Sequence, residues 1–231
     1  MSMLGRIADR FRRNGVEAKF SQDDLGGYCS QYGQDRFVHE NLFPGVKNGV
    51  FADIGAHDGV TLSNTYFLEK LGWTGIAVEP IPEIFEKLEA NRRCITVNGC
   101  VGSPAGKRKF RRVSGYPEML SGLVDEYDQR HEARIAGEIK ERGGTSEEIE
   151  VDCFDFNALL DEYGIRAVHY LSIDVEGGEF PIIKSIDFAR ADIRAIGVEN
   201  NYQDDGIRAY LRKRGFRLHS KVGCDDFFVA A

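Results

Sequence analysis

Short apolar runs alternate with amphipathic segments along most of the chain, and this alternation is the feature that most restricts its fold. Buried strands are predicted at 49–55, 75–80, 94–101, 148–154, 168–173 and 193–198. Helices are predicted between them at 63–71, 82–93, 157–163 and 181–188. Strands that alternate with helices indicate a parallel sheet joined by right-handed crossovers.

The last part of the chain has a different pattern. Residues 216–222 and 227–230 are strand-like and flank a turn at Gly223, which predicts an antiparallel hairpin. We therefore expect an α/β fold with a mostly parallel, Rossmann-like sheet of seven strands that ends in this C-terminal hairpin.

A chain of 231 residues is long enough for one domain with its own core. We place this domain at 30–231 and an N-terminal helical appendage at 1–29. In the appendage, Leu4, Ile7 and Phe11 share one helical face, which favours docking on the domain or on a partner subunit over a membrane-surface helix. Within the domain we expect a lid insertion at 103–147.

Two stretches of this insertion each allow two interpretations. The stretch 107–112 carries five cations, and it predicts either a site for an acidic or phosphate-bearing acceptor or a charged edge strand. The segment 121–142 is long, charged and helical in pattern, as either a lid or a plain surface helix would be.

Composition and charge argue against several classes of partner. The formal net charge of −7 provides no positive field for nucleic acid. No apolar run reaches the roughly 20 residues of a membrane span, so no stable membrane insertion is expected. The five cysteines are scattered and include no Cys-x-x-Cys pair, which indicates reduced thiols and a cytoplasmic location.

The first predicted strand runs into a glycine-containing turn from Asp53 to Gly59, and ligands of α/β sheets bind at such strand ends. Gly55 and Gly59 let the backbone approach a ligand, and the Asp53 carboxylate suits an ammonium group better than a pyrophosphate. The dinucleotide pattern G-x-G-x-x-G needs a glycine where His57 stands. The turn therefore favours S-adenosylmethionine (SAM) over NAD as cofactor.

Two further strand ends complete the predicted cofactor site. Glu79 ends the second strand and can accept hydrogen bonds from both ribose hydroxyls of either cofactor. Gly99 and Cys100 follow the third strand and are placed beside the adenine, although Cys100 fits ordinary core packing equally well. The predicted cofactor-binding residues are Gln34, Asp53, Gly55, Ala56, Asp58, Gly59, Asn64, Glu79, Pro80, Gly99 and Cys100.

Carboxylates also follow two predicted strands in the second half of the chain. Asp174 and Glu176 lie in one turn, and Glu199 and Asn200 end the next strand. Asp174, Glu199 and Asn200 predict an all-oxygen Mg²⁺ site that would bind and orient an acceptor hydroxyl. Without a metal, Asp174 or Glu176 could act as general base, with His57 as a further catalytic candidate. The alternative is that these acids only cap the following helix.

Several short motifs occur in an order that is typical of a known family. They are SQYGQD at 30–35, DIGAHDG at 53–59, SNT at 63–65, GW with a later glycine at 72–75, AVEP at 77–80 and IDVEG with Glu179 at 173–179. On these motifs the sequence resembles the FkbM family of SAM-dependent methyltransferases. The resemblance implies a class I methyltransferase fold, SAM as methyl donor, and O-methylation of a hydroxyl on a sugar, glycan or secondary metabolite. Ser172 and Gly178 stand where the family commonly has lysine and alanine.

Other functions remain as alternatives at this point. An NAD-linked, sugar-modifying oxidoreductase would use the same sheet edge, and a catalytically silent protein would bind SAM without turnover. N-methylation would need a neutral amine as acceptor. The expected partner is a small-molecule or glycan acceptor, and a homo-oligomer is a candidate assembly.

Overall fold

The computed structural model describes residues 27–127 and 129–231. Most of the predicted appendage at 1–29 therefore lies outside the described residues. Within them, no helix has the length and apolar character needed to cross a membrane.

The described residues form eleven strands in two sheets. The strands are β1 (Val50–Ile54), β2 (Thr74–Glu79), β3 (Ile95–Asn98), β4 (Cys100–Val101), β5 (Gly106–Ser114), β6 (Gly122–Leu123), β7 (Thr145–Phe154), β8 (Ala167–Ile173), β9 (Asp192–Glu199), β10 (Phe216–Val222) and β11 (Asp225–Ala230).

The larger sheet has seven strands in the order β10-β11-β9-β8-β1-β2-β3. β9, β8, β1, β2 and β3 pair in parallel, whereas β11 runs antiparallel to both of its neighbours. The predicted α/β fold with a mixed sheet and a C-terminal hairpin is thus found. β1 and β8 are mostly apolar and largely buried, as central strands of a parallel sheet usually are.

The smaller sheet, in the order β4-β7-β5-β6, was not predicted. The run at 148–154 was expected in the main sheet, and this prediction is wrong because β7 pairs with β5 from Thr145 to Cys153 and with β4 at its end. Burial alternates towards the end of β7, as in a strand with one solvated face. The predicted insertion at 103–147 therefore contains β5, β6 and the first three residues of β7, together with a helix at Gln129–Arg142.

The basic stretch 107–112 is not the edge strand that one of its two interpretations predicted, and the acceptor site stays a prediction. β5 lies between β7 and β6, so it is not an edge strand. Its cations face carboxylates within 4 Å, as in the pairs Lys107 with Asp152 and Arg112 with Glu147. Such exposed pairs stabilise little, but they leave the stretch poorly suited to bind an anionic acceptor.

Seven α-helices connect the strands of the described residues. They are α1 (Gln34–Phe37), which continues as a π-helical turn (Val38–Leu42), α2 (Tyr66–Lys70), α3 (Pro82–Asn91), α4 (Gln129–Arg142), α5 (Phe156–Glu162), α6 (Glu179–Ser185) and α7 (Asp205–Lys213). Local sequence explains several starts. Pro82 occupies the first turn of α3, and Asp155 caps α5 by accepting a hydrogen bond from the Ala158 N–H at 2.8 Å.

Candidate active site

A cavity of about 140 Å³ lies along the edge where the parallel strands end. β9, β8, β1, β2 and β3 all point their carboxyl ends to this edge, and neighbouring strands are spaced by about 4.8 Å. Four such intervals extend over about 19 Å, so residues that are far apart in sequence come to lie in one row. This arrangement explains why turns after different strands line one cavity.

Most of the predicted site residues line this cavity. Those that do are Gln34, Asp53, Gly55, Ala56, His57, Asn64, Glu79, Pro80, Gly99, Cys100, Asp174, Glu176 and Glu199. Asp58, Gly59 and Asn200 lie outside it. The contacts of these residues with a ligand remain predictions.

Asp58 and Gly59 have structural partners instead. The Asp58 carboxylate accepts hydrogen bonds from the backbone N–H groups of Val60 and Thr61 at 2.9 and 2.7 Å. The Gly59 carbonyl accepts one from Arg92 at 3.1 Å. Both residues therefore build the turn after β1 that carries the cavity-lining residues.

The structure does not assemble the predicted magnesium site. The Asn200 amide donates to Asp226 Oδ2 at 2.8 Å and accepts from the Asp204 N–H at 2.6 Å. Its two polar atoms are thus used to fix the loop before α7, away from Asp174. Within residues 27–127 and 129–231, no group of three or more His, Cys, Asp or Glu side chains is arranged to hold a metal ion.

Gly55 brings the turn after β1 against the turn after β8. Its φ of 89° is left-handed, and a Cβ at this position would collide with the backbone oxygen of Asp174. The N–H groups of Gly55 and Ala56 both donate to the Val78 carbonyl, at 3.1 and 3.0 Å. Only glycine allows this close backbone approach at the cavity wall.

Glu79 is held rigidly at the end of β2. Its Oε2 accepts from the His57 N–H at 3.1 Å, and its Oε1 accepts from the Ile81 N–H at 2.8 Å. Burial raises the pKa of Glu79 to about 7, although these hydrogen bonds and the His57 charge lower it. Each oxygen keeps a lone pair for a further donor such as a ribose hydroxyl.

His57 is a cation rather than a base. Burial alone would lower its pKa, but the carboxylates of Asp58 and Glu118 outweigh burial and raise the pKa to about 9. Each carboxylate lies 3.7 Å from a ring nitrogen, a distance for charge attraction and too long for a hydrogen bond. The residue is protonated at neutral pH, so it does not suit the general-base role that the sequence predicted for it.

The turn after β8 is strained and internally braced. Glu176 has a left-handed φ of 58°, which is uncommon outside glycine and recurs at functional sites. Glu179 Oε1 accepts from the Gly177 and Val175 N–H groups at 2.8 and 3.3 Å. Glu176 itself pairs with Arg134 of α4 at 2.8 Å, so the insertion holds this turn from outside.

Asp174 lies at the centre of an excess of negative charge. Burial and the nearby carboxylates of Glu176, Asp225 and Glu179 raise the pKa of Asp174 well above its ordinary value. Burial and Asp174 likewise raise the pKa of Glu199. Within the described part of the chain, Asp174 is in no ion pair with Lys, Arg or His. The region is therefore suited to a ligand that carries positive charge.

Asp53 and Asn64 differ in how much of their polar surface is free. The buried Asp53 accepts from Thr65 Oγ1 at 2.5 Å and lies 4.0 Å from Arg92, so its carboxylate already has partners. Asn64 donates to Ser172 Oγ at 3.3 Å, but its buried Oδ1 has no hydrogen-bond partner among the described residues. An unpaired acceptor in the cavity wall fits a ligand with an ammonium or hydroxyl donor.

A comparison of the sequence with protein families identifies the chain. Residues 53–218 match the family described as the methyltransferase FkbM domain. The chain belongs to this methyltransferase family. The FkbM match begins at Asp53, in β1, and ends in β10, so it includes the cavity-lining strand ends and the whole insertion.

Known proteins similar to this FkbM-family chain are also methyltransferases by name. The 31-O-demethyl-FK506 methyltransferase FkbM of Streptomyces tacrolimicus is 28% identical over 217 residues, which cover 80% of this chain and 83% of that protein. Methyltransferase sdnD of Sordaria araneosa is 22% identical over 231 residues, covering 85% and 87%.

Two crystal structures give weaker likenesses. A methyltransferase from Geobacter sulfurreducens has a TM-score of 0.47 at 8% identity, over 100% of this chain and 90% of that one. Methyltransferase FkbM from Methylobacillus flagellatus KT has a TM-score of 0.48 at 11% identity, over 85% of this chain and 47% of that one.

The FkbM-family motifs did not reveal the contribution of the insertion. Glu118 and Glu126 line the cavity, and Arg134 pairs with Glu176, yet none of the three lies in a motif. Only the expectation of a lid at 103–147 pointed to this segment. Nothing in its local pattern distinguishes these three side chains from the other charged residues around them.

Proposed function

We propose that this FkbM-family chain is a SAM-dependent O-methyltransferase. The observation that carries the proposal is the charge of the cavity wall. Among residues 27–127 and 129–231, seven acidic side chains line it, those of Asp53, Glu79, Glu118, Glu126, Asp174, Glu176 and Glu199, against one cationic side chain, that of His57. This charge favours the sulfonium and ammonium groups of SAM and opposes the pyrophosphate of NAD.

In this proposal, residues after successive strands of the parallel sheet contact successive parts of SAM. Glu79 is placed to accept from the ribose hydroxyls, with Gly99 and Cys100 beside the base. Asn64 Oδ1 and the acids around Asp174 would face the methionine portion. When bound, SAM supplies an electrophilic methyl carbon and a neutral thioether leaving group.

Asp174 is the residue we assign as general base. Burial and the neighbouring carboxylates raise the pKa of Asp174 well above its ordinary value, which makes the ionised side chain a stronger base towards a hydroxyl. With SAM bound as methyl donor, Asp174 would take the proton of the acceptor hydroxyl whose oxygen is methylated. The relative from Streptomyces tacrolimicus is named for a 31-O-demethyl acceptor, which supports oxygen as the methylated atom.

A second cavity supports an acceptor that approaches from the side of α4. It has a volume of about 90 Å³ and shares Glu176 and Glu199 with the first cavity. Phe180, Asn201 and Tyr202 also line it. Aromatic faces combined with amides suit a hydroxyl-rich small molecule or glycan, which would then meet the methyl group near Asp174.

Asp174→Asn should weaken the binding of SAM about 100-fold more than that of S-adenosylhomocysteine. The two ligands differ at the sulfur, which is cationic only in SAM, and a unit charge at about 5 Å is worth about 3 kcal/mol at an effective dielectric of about 20. Calorimetric titration of both ligands into wild type and variant measures the change in the affinity ratio.

Asp192→Asn is the matched control, because Asp192 is an exposed carboxylate at the opposite end of the parallel strands. The ratio of its affinities for SAM and S-adenosylhomocysteine should equal that of wild type. NAD is titrated in parallel. Wild-type protein that binds NAD but neither SAM nor S-adenosylhomocysteine would refute the proposed function.

A further inference from the structure

The insertion places a carboxylate in the cavity wall that has no role in the proposed methyl transfer. Glu126 ends the short 3-10 helix Val124–Glu126, and its side chain is 8% exposed. Oε1 accepts a hydrogen bond from Arg108 Nη1 at 3.0 Å. The buried Oε2 has no hydrogen-bond partner among residues 27–127 and 129–231. A buried carboxylate oxygen without a donor is costly, which points to a donor on a ligand.

Two neighbours fix this carboxylate in position. Arg108, 9% exposed, is itself held by Asp125 Oδ1 at 2.5 Å. On the other side, a Cβ at Gly178 would lie 2.7 Å from Glu126 Oε2. The φ of Gly178 is −94°, which any residue can adopt, so glycine is needed here for space and not for conformation. Residues of both the insertion and the turn after β8 therefore fix the position of Oε2.

Several side chains that line the same cavity as Glu126 are apolar. One buried cluster supplies several walls, and its cavity-lining members are Ile81, Ile84, Cys100, Phe110 and Leu123. Apolar walls suit a flat aromatic ring, and a fixed acceptor at the edge suits a ring that carries a donor. Adenine satisfies both conditions, because its 6-amino group donates hydrogen bonds.

We propose that Glu126 Oε2 accepts a hydrogen bond from the 6-amino group of the cofactor's adenine, so that the insertion takes part in selecting the cofactor. This inference rests on the proposed SAM-dependent function. An ionised carboxylate only accepts hydrogen bonds, so a base with a 6-oxo group would bring two acceptors together. The site should therefore discriminate between adenine and hypoxanthine.

The experiment compares S-adenosylhomocysteine with S-inosylhomocysteine, which differ in the 6-substituent of the base. Wild-type protein should bind the adenine ligand about 10- to 100-fold more tightly, the usual range for a hydrogen bond to a charged group. In Glu126→Gln the ratio should fall to nearly one, because the amide can rotate to donate to the 6-oxo group. Calorimetry gives both dissociation constants, and thermal denaturation checks that each variant is folded.

Gly178→Ala tests the same oxygen without changing Glu126. The added methyl group must displace Oε2, so this variant should also lose most of the discrimination. Asp152→Asn, in an exposed pair with Lys107, is the control and should keep the wild-type ratio. Equal binding of both ligands by wild type would overturn this inference alone, as would an unchanged ratio in folded Glu126→Gln. No binding of either ligand, or of SAM, would overturn the proposed function itself.

Discussion

Arg92→Met should lower the free energy of unfolding by about 3–5 kcal/mol, the usual cost of removing one partner from a buried ion pair. The buried guanidinium donates to Glu69 Oε2 at 3.0 Å, to the Gly59 carbonyl at 3.1 Å and to Thr65 Oγ1 at 2.9 Å. Thr65 in turn donates to Asp53. Methionine fills similar space but leaves these acceptors without their donor.

Arg93→Met is the matched control for this prediction. Arg93 is the exposed neighbour, and its contact with Glu69 is made by the backbone N–H, which the substitution retains. The control should change the unfolding free energy by less than about 0.5 kcal/mol. Urea denaturation of both variants measures the difference. Similar values for the two would show that the guanidinium is not what joins α2 to the turn after β1.

The parallel strands could be predicted because most of their residues are apolar and much of each strand is buried. The four-stranded sheet escaped prediction for the opposite reason. β5 and β7 carry many charged residues, which pair across the strands as Lys109 does with Glu148. Each stretch alone has the pattern of a surface segment or a linker. The complementary charges become apparent only when the two strands are paired.

The residues at strand ends were predictable because the parallel sheet itself brings them together. Gly55, Glu79 and Asp174 needed no knowledge of loops to be placed in one site. Asn200 also ends a strand, but its side chain accepts a hydrogen bond from the loop that follows and does not enter the site. A strand end fixes where a residue lies, but local hydrogen bonds decide which way its polar atoms point.

Contributions from the insertion could not be predicted in the same way. Glu118 faces His57, and Arg134 faces Glu176, across separations of 61 and 42 residues in sequence (118 − 57 and 176 − 134). No sequence periodicity predicts either of these two pairs. Glu118 and Arg134 each pair with a residue whose φ is left-handed, so the insertion contacts the site at two turns with this uncommon backbone conformation.

The stability difference between wild type and His57→Asn should shrink by about 2 kcal/mol as pH rises from 7 to 9.5. His57 has a pKa of about 9 when folded, against 6.5 when unfolded. Its charge therefore stabilises the fold fully below pH 6.5, and this contribution is lost as pH rises through 9. The side chain is 18% exposed, so solvent screens the charge only partly. Asparagine tolerates the left-handed φ of 52° at this position.

His169→Asn is the control for this pH dependence. Burial lowers the pKa of His169, so its imidazole is neutral in the folded protein from pH 7 upwards and its substitution should give a nearly constant difference. Urea denaturation at both pH values and 0.15 M salt measures each variant. The raised pKa of Glu179, about 7, affects wild type and variants alike and cancels, whereas the pKa of Glu79 should rise further in His57→Asn because the His57 charge lowers it in wild type.

The result also bears on catalysis. If the difference for His57→Asn shrinks as expected, the imidazole is charged at neutral pH and cannot take the proton of an acceptor hydroxyl. Asp174 then remains the better base, because its pKa is raised by burial while it lies in the same cavity. A difference that stays constant from pH 7 to 9.5 would mean a neutral imidazole, and His57 would return as the general-base candidate.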